Sequence, residues 1–333
     1  MRENRAAFER WRIVPRMLRD VSVRDTAVDV LGTRMPSPFL LCPIGVLEVA
    51  HRDADVAVAR AAAAEGIPFV FSNQASRPME ETARAMGDAP RWFQLYWSTS
   101  NELVASLVAR AERCGCSAIV LTLDTTMLGW RIRDLDLAYL PFLRGKGIAQ
   151  YTSDPVFVEA LQETLQQEAP PGGRITLAAI STLLSQAGAY PGPRLANVRS
   201  GIARAAVRRF VETYSRPSLS WDDLAFLRER TRLPILLKGV LHPADARAAA
   251  EHGMDESSCR ITAGGRSTAR SRRWTRCPRS SRPSVPASPS CSTAASGRTP
   301  TSTGRSRSAR PRPVSAGRTS GGSPRGARTA SVR

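Results

Sequence analysis

Between Glu256 and Arg333 the chain has no leucine, phenylalanine, tyrosine, methionine or lysine, and its one acidic residue is Glu256. Such a stretch cannot bury enough apolar surface to offset the entropy of ordering it, so a packed core is excluded there and disorder is expected. Seventeen arginines and 18 serines fill it instead. Those arginines give residues 256–333 a charge of +16 out of the total of +19, leaving residues 1–255 nearly neutral at +3. The first 255 residues therefore have no charge-based reason to bind nucleic acid or a membrane. An arginine-rich nucleic-acid-binding tail is the alternative on charge alone. It would show clustered, repeated arginine motifs, and none is present.

Other absences narrow the class further. No apolar run reaches the length of a transmembrane helix. The opening "MRENRAAFERWRIVPRML" has neither an apolar core nor a small-residue cleavage site, so a secretion signal is not expected. The six cysteines have no metal-ligand spacing, and Cys114 and Cys116 form C-x-C rather than C-x-x-C. These features suit the reduced thiols of a cytoplasmic protein without a metal.

Up to Asp255, short apolar runs alternate with alanine-rich helical stretches. Strands are expected at "PFLLCPIG" (Pro38–Gly45), "IPFVFS" (Ile67–Ser72), "RWFQLYW" (Arg91–Trp97), "SAIVLTLD" (Ser117–Asp124) and "LPILLKGV" (Leu233–Val240). Helices are expected at Asp53–Gly66, Pro78–Gly87, Asn101–Gly115, Ser220–Thr231 and His242–Gly253. This alternation predicts parallel strands with helical crossovers, an α/β fold of the (β/α)8 barrel class with about five units readable. An open doubly wound sheet is the alternative, although the glycine-rich dinucleotide turn is missing. From Gly129 to Thr213 the βα rhythm is lost, although some helical pattern remains among several prolines and glycines, and the stretch reads as a long loop insertion over the barrel mouth after the fourth strand.

Polar residues sit at or just past the strand ends: Ser72, Gln94 with Tyr96, Thr122 with Asp124, and Lys238. A barrel builds its active site there. An anionic ring cofactor needs close backbone, hydrogen-bonding side chains and a cation. Pro43, Ile44, Gly45, Ser72, Gln94, Thr122 and Lys238 supply that set. A hydroxy acid needs a cation for its carboxylate and a partner for its hydroxyl, which Arg131 and Tyr96 offer.

Taken in order, "PIGVLEVAH" (Pro43–His51), "FQLYW" (Phe93–Trp97), "LTLDT…GWRIRD" (Leu121–Asp134) and "LPILLKGV" resemble the FMN-dependent 2-hydroxy-acid oxidase and dehydrogenase family over residues 1–255. Within that family the likeness is greatest to the lactate 2-monooxygenase type, through Gly45, where oxidases usually carry Ala, and through "YLPFLRGKGIAQYTSDPVF" (Tyr139–Phe157). The resemblance implies FMN as cofactor, a small 2-hydroxy acid and oxygen as reactants, and a homo-oligomer for intact members. It places the backbone of Pro43–Gly45 against the flavin, Ser72, Gln94 and Thr122 on its ring, and Lys238 at its pyrimidine end. Tyr96 would meet the substrate hydroxyl and Arg131 its carboxylate, while Asp124 would orient the catalytic base.

The family pattern stops after "AAEHGMD" (Ala249–Asp255). An S-N-H-G-G-R motif with the catalytic His, then D-S-G-I-R and G-R-P motifs for the FMN phosphate, are absent. With GC-rich synonymous codons, Arg260–Ala269 read two bases on contains Asn-His-Gly-Gly-Arg. Ser290–Arg298 in the same phase contains Asp-Ser-Gly-Ile-Arg, and Arg312–Gly321 contains Gly-Arg-Pro. A reading-frame slip near Asp255 accounts for all three. A family segment with a substrate-binding Tyr is also expected before "NRAAFERW" (Asn4–Trp11), where this chain opens.

Overall fold

The computed structural model describes residues 14–127, 136–167 and 176–258, together with Glu9 and Asp134. Arg131 and the residues beyond Ser258, which include nearly all of the expected tail, lie outside the described residues. The alternating pattern folds as a parallel sheet of β3 (Phe69–Phe71), β4 (Arg91–Leu95), β5 (Ile119–Thr122), β6 (Ile235–Lys238) and β7 (Glu256–Ser258), in that order. The crossovers carry α1 (Ala54–Ala64), α2 (Met79–Met86), α3 (Asn101–Arg113), α9 (Asp223–Arg230) and α10 (Pro243–Glu251).

Side chains alternate between the two faces of each strand. Phe69, Phe71, Phe93, Leu95, Ile119, Leu121, Ile235 and Leu237 point outward into the core shared with the helices. Val70, Trp92, Ala118, Val120 and Leu236 form the inner layer, packed by Val30, Leu31 and Leu40. A hairpin of β1 (Val28–Val30) and β2 (Thr33–Met35) supplies the first two of these and ties itself in through Thr33, whose hydroxyl accepts from Trp92 Nε1 at 3.0 Å and pairs with Ser117 at 3.0 Å. Helices pack on one face of the sheet only among the described residues, which excludes the doubly wound alternative.

Two stretches differ from the sequence-based expectation. Pro38–Gly45 makes no strand beyond a parallel bridge of Leu41 with Phe69. The Phe39 amide turns back to Ser37 O, and Pro38 and Pro43 have no amide to donate, so the ladder cannot extend. The stretch between β5 and β6 is largely helical. It holds a 3₁₀ turn at Pro141–Arg144, then α4 (Ala149–Thr152), α5 (Pro155–Gln167), α6 (Leu177–Ala189), α7 (Arg194–Ser200) and α8 (Ile202–Thr213). Its prolines and glycines mark helix ends rather than loop: Pro141, Pro155 and Pro193 stand at starts, and Gly145 and Gly201 take left-handed φ at junctions.

Arg110 on α3 fastens this helical stretch to the barrel's outer layer. Its guanidinium donates to both oxygens of Glu80 at 2.8 and 2.9 Å, to Asp154 at 3.1 Å, to Gln150 O at 2.7 Å and to Ser153 at 2.7 Å. Asp154 is fully buried, so removing Arg110 strands a carboxylate without its counter-charge. We expect Arg110→Met to cost about 3–5 kcal/mol in urea unfolding. Pairing it with Asp154→Leu should recover much of that loss. Arg208→Ala, which breaks the exposed Arg208–Glu212 pair, should cost under about 0.5 kcal/mol.

Candidate active site

Inner-face residues advance by two along each strand. The next inner-face positions C-terminal to Val70, Trp92, Val120 and Leu236 are therefore Ser72, Gln94, Thr122 and Lys238, with Tyr96 one further step on, just past β4. The register places Thr122 beside Lys238 and Gln94 beside Val120. All five are buried, at 2–8% relative exposure.

Hydrogen bonds fix how the layer presents itself. Gln94 Oε1 accepts from the Ser72 hydroxyl and from the Asn73 amide, both at 3.3 Å. The amide orientation that satisfies these donors turns Gln94 Nε2 the other way. Gln94 Nε2, Thr122 Oγ1 and Asn73 Oδ1 are buried without a hydrogen-bond partner. Groups of this kind rarely stay unpaired in a native interior. They suit a ligand whose edge alternates donors and acceptors. Lys238 brings a cation to the same end of the sheet, with Nζ 3.8 Å from Asp124 Oδ2, and Asp124 also accepts from the Thr125 hydroxyl at 3.1 Å. The turn after Lys238 has room for glycine alone. Gly239 has φ +103°, and a Cβ there would lie 3.0 Å from Asp124 Cβ.

Pro43, Ile44 and Gly45 reach this mouth through the loop after β3, because the Val46 amide donates to Gln74 O at 2.9 Å. Tyr96 and Tyr214 both neighbour Tyr151; burial holds the Tyr151 phenol well above its ordinary pKa against the hydrogen bond from Asn73, and the two neighbouring phenols add to the rise. Thus the expected ring-binding residues, Tyr96 and Asp124 all meet at one end of the sheet. Arg131 lies outside the described residues. The three histidines do not join them. His51 Nδ1 accepts from the Asp53 amide, His242 Nδ1 caps α10 by accepting from the Ala244 amide, and His252 bonds Ala248 O and lies tilted against Trp221. Among the described residues no His/Cys/Asp/Glu group is placed to hold a metal, and no helix is long and apolar enough to cross a membrane.

Sequence reasoning missed Asn73, Gln150, Tyr151 and Asp55. Asn73 was adjacent to the chosen Ser72. Asp55 carried a readable signal, since it sits on the stripe of α1 that also buries Ala59 and Ala62. Gln150 and Tyr151 had none, because their partners lie more than 70 residues away.

Comparison with known proteins agrees with this arrangement. A family described as FMN-dependent dehydrogenase matches residues 1–261. An L-lactate oxidase of Lysinibacillus sphaericus is 36% identical over 255 residues, covering 77% of this chain and 56% of that protein. The 2-hydroxyacid oxidase 1 of Homo sapiens is 33% identical over 253 residues, covering 76% and 58%. A crystal structure of mandelate oxidase with (S)-4-hydroxymandelic acid superposes with a TM-score of 0.55 at 29% identity, covering 77% of this chain and 59% of that one. The chain thus spans a little over half the length of the relatives it matches.

Asp55 yields a pH test. Its carboxylate accepts from the amides of Ser76 at 2.8 Å and Arg77 at 3.1 Å, pinning the loop after β3. Burial nevertheless pushes its pKa up to about 6, from 3.8, against the pull of those amides. A carboxyl raised in the folded state stabilises fully below its ordinary pKa, and that contribution is lost as pH climbs through the raised value. Asp55→Asn should therefore flatten the stability profile between pH 3.8 and about 6. Denaturant unfolding across that window checks this; parallel curves for parent and variant would contradict it.

Proposed function

The chain belongs to the FMN-dependent α-hydroxy-acid oxidase and dehydrogenase family, and on that premise we propose that its strand ends form the ring-binding part of an FMN site serving oxidation of an L-2-hydroxy acid. Its fold is part of the family's (β/α)8 barrel, with five parallel strands in the described residues. The observation that carries the reading is the pair of unpartnered groups at the strand ends, Thr122 Oγ1 in register with Lys238 and Gln94 Nε2 one inner-face step before them.

Bound FMN would supply an electron sink for the substrate's α-hydrogen and pass the electrons to oxygen. Ser72, Gln94 and Thr122 would bind the polar edge of the ring, and the backbone of Pro43–Gly45 would lie against it. Lys238 would hold the negative charge that reduction leaves there. Tyr96 would hydrogen-bond the substrate hydroxyl, and Arg131 would pair with the carboxylate. Asp124 would orient an imidazole base for the hydroxyl proton, as carboxylates do in other acid–base pairs. The chain's own histidines are engaged elsewhere.

The finer proposal is the lactate 2-monooxygenase type, in which lactate and oxygen give acetate, carbon dioxide and water. Gly45 supports it, since a Cβ there would come within 3.3 Å of Gln74 Cβ. So does the Tyr139–Phe157 stretch, which folds against the site-bearing loop through Ala149, Gln150 and Tyr151.

We also propose that the chain beyond Asp255 is read out of frame. The family match ends at residue 261, close to the break in composition. The last strand supports the same reading. Ser257 pairs with Leu237, whose side chain is fully buried, at a position where a two-sided parallel sheet takes apolar residues.

Sequencing the gene around codon 255 should reveal an open frame encoding the His, D-S-G-I-R and G-R-P motifs; stops or unrelated residues in that phase would end the idea. The chain with its present tail should purify colourless. It should oxidise L-lactate at least about 100- to 10,000-fold more slowly than the frame-restored protein, the usual cost of a lost general base. Acetate as the restored protein's product supports the monooxygenase type. Pyruvate with hydrogen peroxide would assign an oxidase.

A further inference from the structure

We propose that Gln150 is a positioning residue, holding the loop after β3 so that Ser72 and Gln94 keep their ring-binding arrangement. This rests on the flavin reading of the site. Gln150 is fully buried on α4, well away in sequence from the strands it serves. Its carboxamide bonds both ends of the loop: Oε1 accepts from the Met79 amide at 3.0 Å, and Nε2 donates, at a longer 3.4 Å each, to Ser72 O and Arg77 O. The residues on either side contribute too. The Ala149 amide donates to Ala75 O at 3.1 Å, and the Tyr151 hydroxyl accepts from Asn73 Nδ2. Three consecutive residues thus hold one loop along its length.

The support behind Gln150 is rigid. Its carbonyl accepts a charged hydrogen bond of 2.7 Å from Arg110, itself locked between Glu80 and Asp154. On its other side the loop holds the segment after Pro43–Gly45, through Val46 N to Gln74 O and Glu48 N to the Ser76 hydroxyl at 3.1 Å. Glu48 closes the circuit by accepting from the Gly147 amide at 3.1 Å. The loop is therefore the strip through which the β5–β6 stretch and the Pro43–Gly45 segment are joined.

The consequence at the site follows from Gln94. Its orientation is set by the Ser72 hydroxyl and the Asn73 amide, both in this loop. If the loop shifts, Gln94 Oε1 loses both donors. The carboxamide can then rotate, exchanging a donor for an acceptor where the ring binds. Glutamine suits position 150 because one planar group must accept from an amide and donate to two carbonyls. Methionine has a similar length and shape and does neither.

Hydrogen exchange on the full chain tests this. Gln150→Met should speed exchange at Asn73, Gln74 and Val46 about tenfold, the usual scale for a lost buried hydrogen bond. Amides between β5 and β6, such as Leu123 and Ile119, should be unchanged. Tyr151→Phe removes one oxygen, keeps the ring packing against Phe157 and Phe210, and should accelerate Asn73 and Gln74 in a chain that still folds, with a melting temperature only modestly lowered. It serves if Gln150→Met fails to fold. Quenching of riboflavin fluorescence by the parent should weaken about tenfold in the variants. Unchanged exchange at Asn73 and Gln74, or equal acceleration throughout the sheet, would overturn the proposal. A parent chain that leaves riboflavin fluorescence untouched contradicts the flavin reading, whereas the exchange pattern decides on Gln150 in either case.

Discussion

The carbonyl of Gln94 is the point on which the site depends. Two donors from the loop after β3 converge on it at 3.3 Å, and that convergence fixes which end of the carboxamide faces the mouth. The strand register pairs Thr122 with Lys238 one inner-face step beyond Gln94, so a donor, a hydroxyl and a cation are presented at the same end of the sheet. None of these groups is unusual alone. Their meaning comes from being buried together at the end of a sheet whose other inner residues on β3 to β6 are apolar.

The same sheet carries the change in composition. Outward residues of β3 to β6 are large and apolar, and they bury against the helices. β7 breaks that rule with Glu-Ser-Ser, yet Asp255 still anchors it. The Asp255 carboxylate accepts from the Ile235 amide at 2.8 Å and pairs with Arg228 at 3.0 Å, while its amide donates to Ile235 O at 3.1 Å. The Ser258 carbonyl accepts from the amides of both Gly239 and Val240. Backbone pairing thus holds Glu256–Ser258 in the sheet although their side chains are polar.

Much of this was readable in the residues because a parallel strand has a period of two. Trp92, Gln94 and Tyr96 share a face by spacing alone, and the polar members of such series mark the strand ends. The helix start at His242 was legible for a similar local reason: a capping side chain followed by proline. Readings failed where local signals have two meanings. Proline and glycine between Gly129 and Thr213 suggested loop and instead bound helices. The apolar run Pro38–Gly45 suggested a strand, but its prolines limit it to one bridge. Asn73, Gln150 and Tyr151 could not be found at all, since their importance lies in contacts that only the tertiary fold creates.

The central claim is that residues up to Ser258 build the ring half of a flavin site independently of any phosphate clamp. Titrating the full chain with FMN and with riboflavin, followed by flavin fluorescence, tests it most directly. The account predicts weak binding of both, with affinities within about tenfold of each other, and loss of both in Gln94→Leu. Binding of neither flavin, or binding that survives Gln94→Leu unchanged, would contradict it.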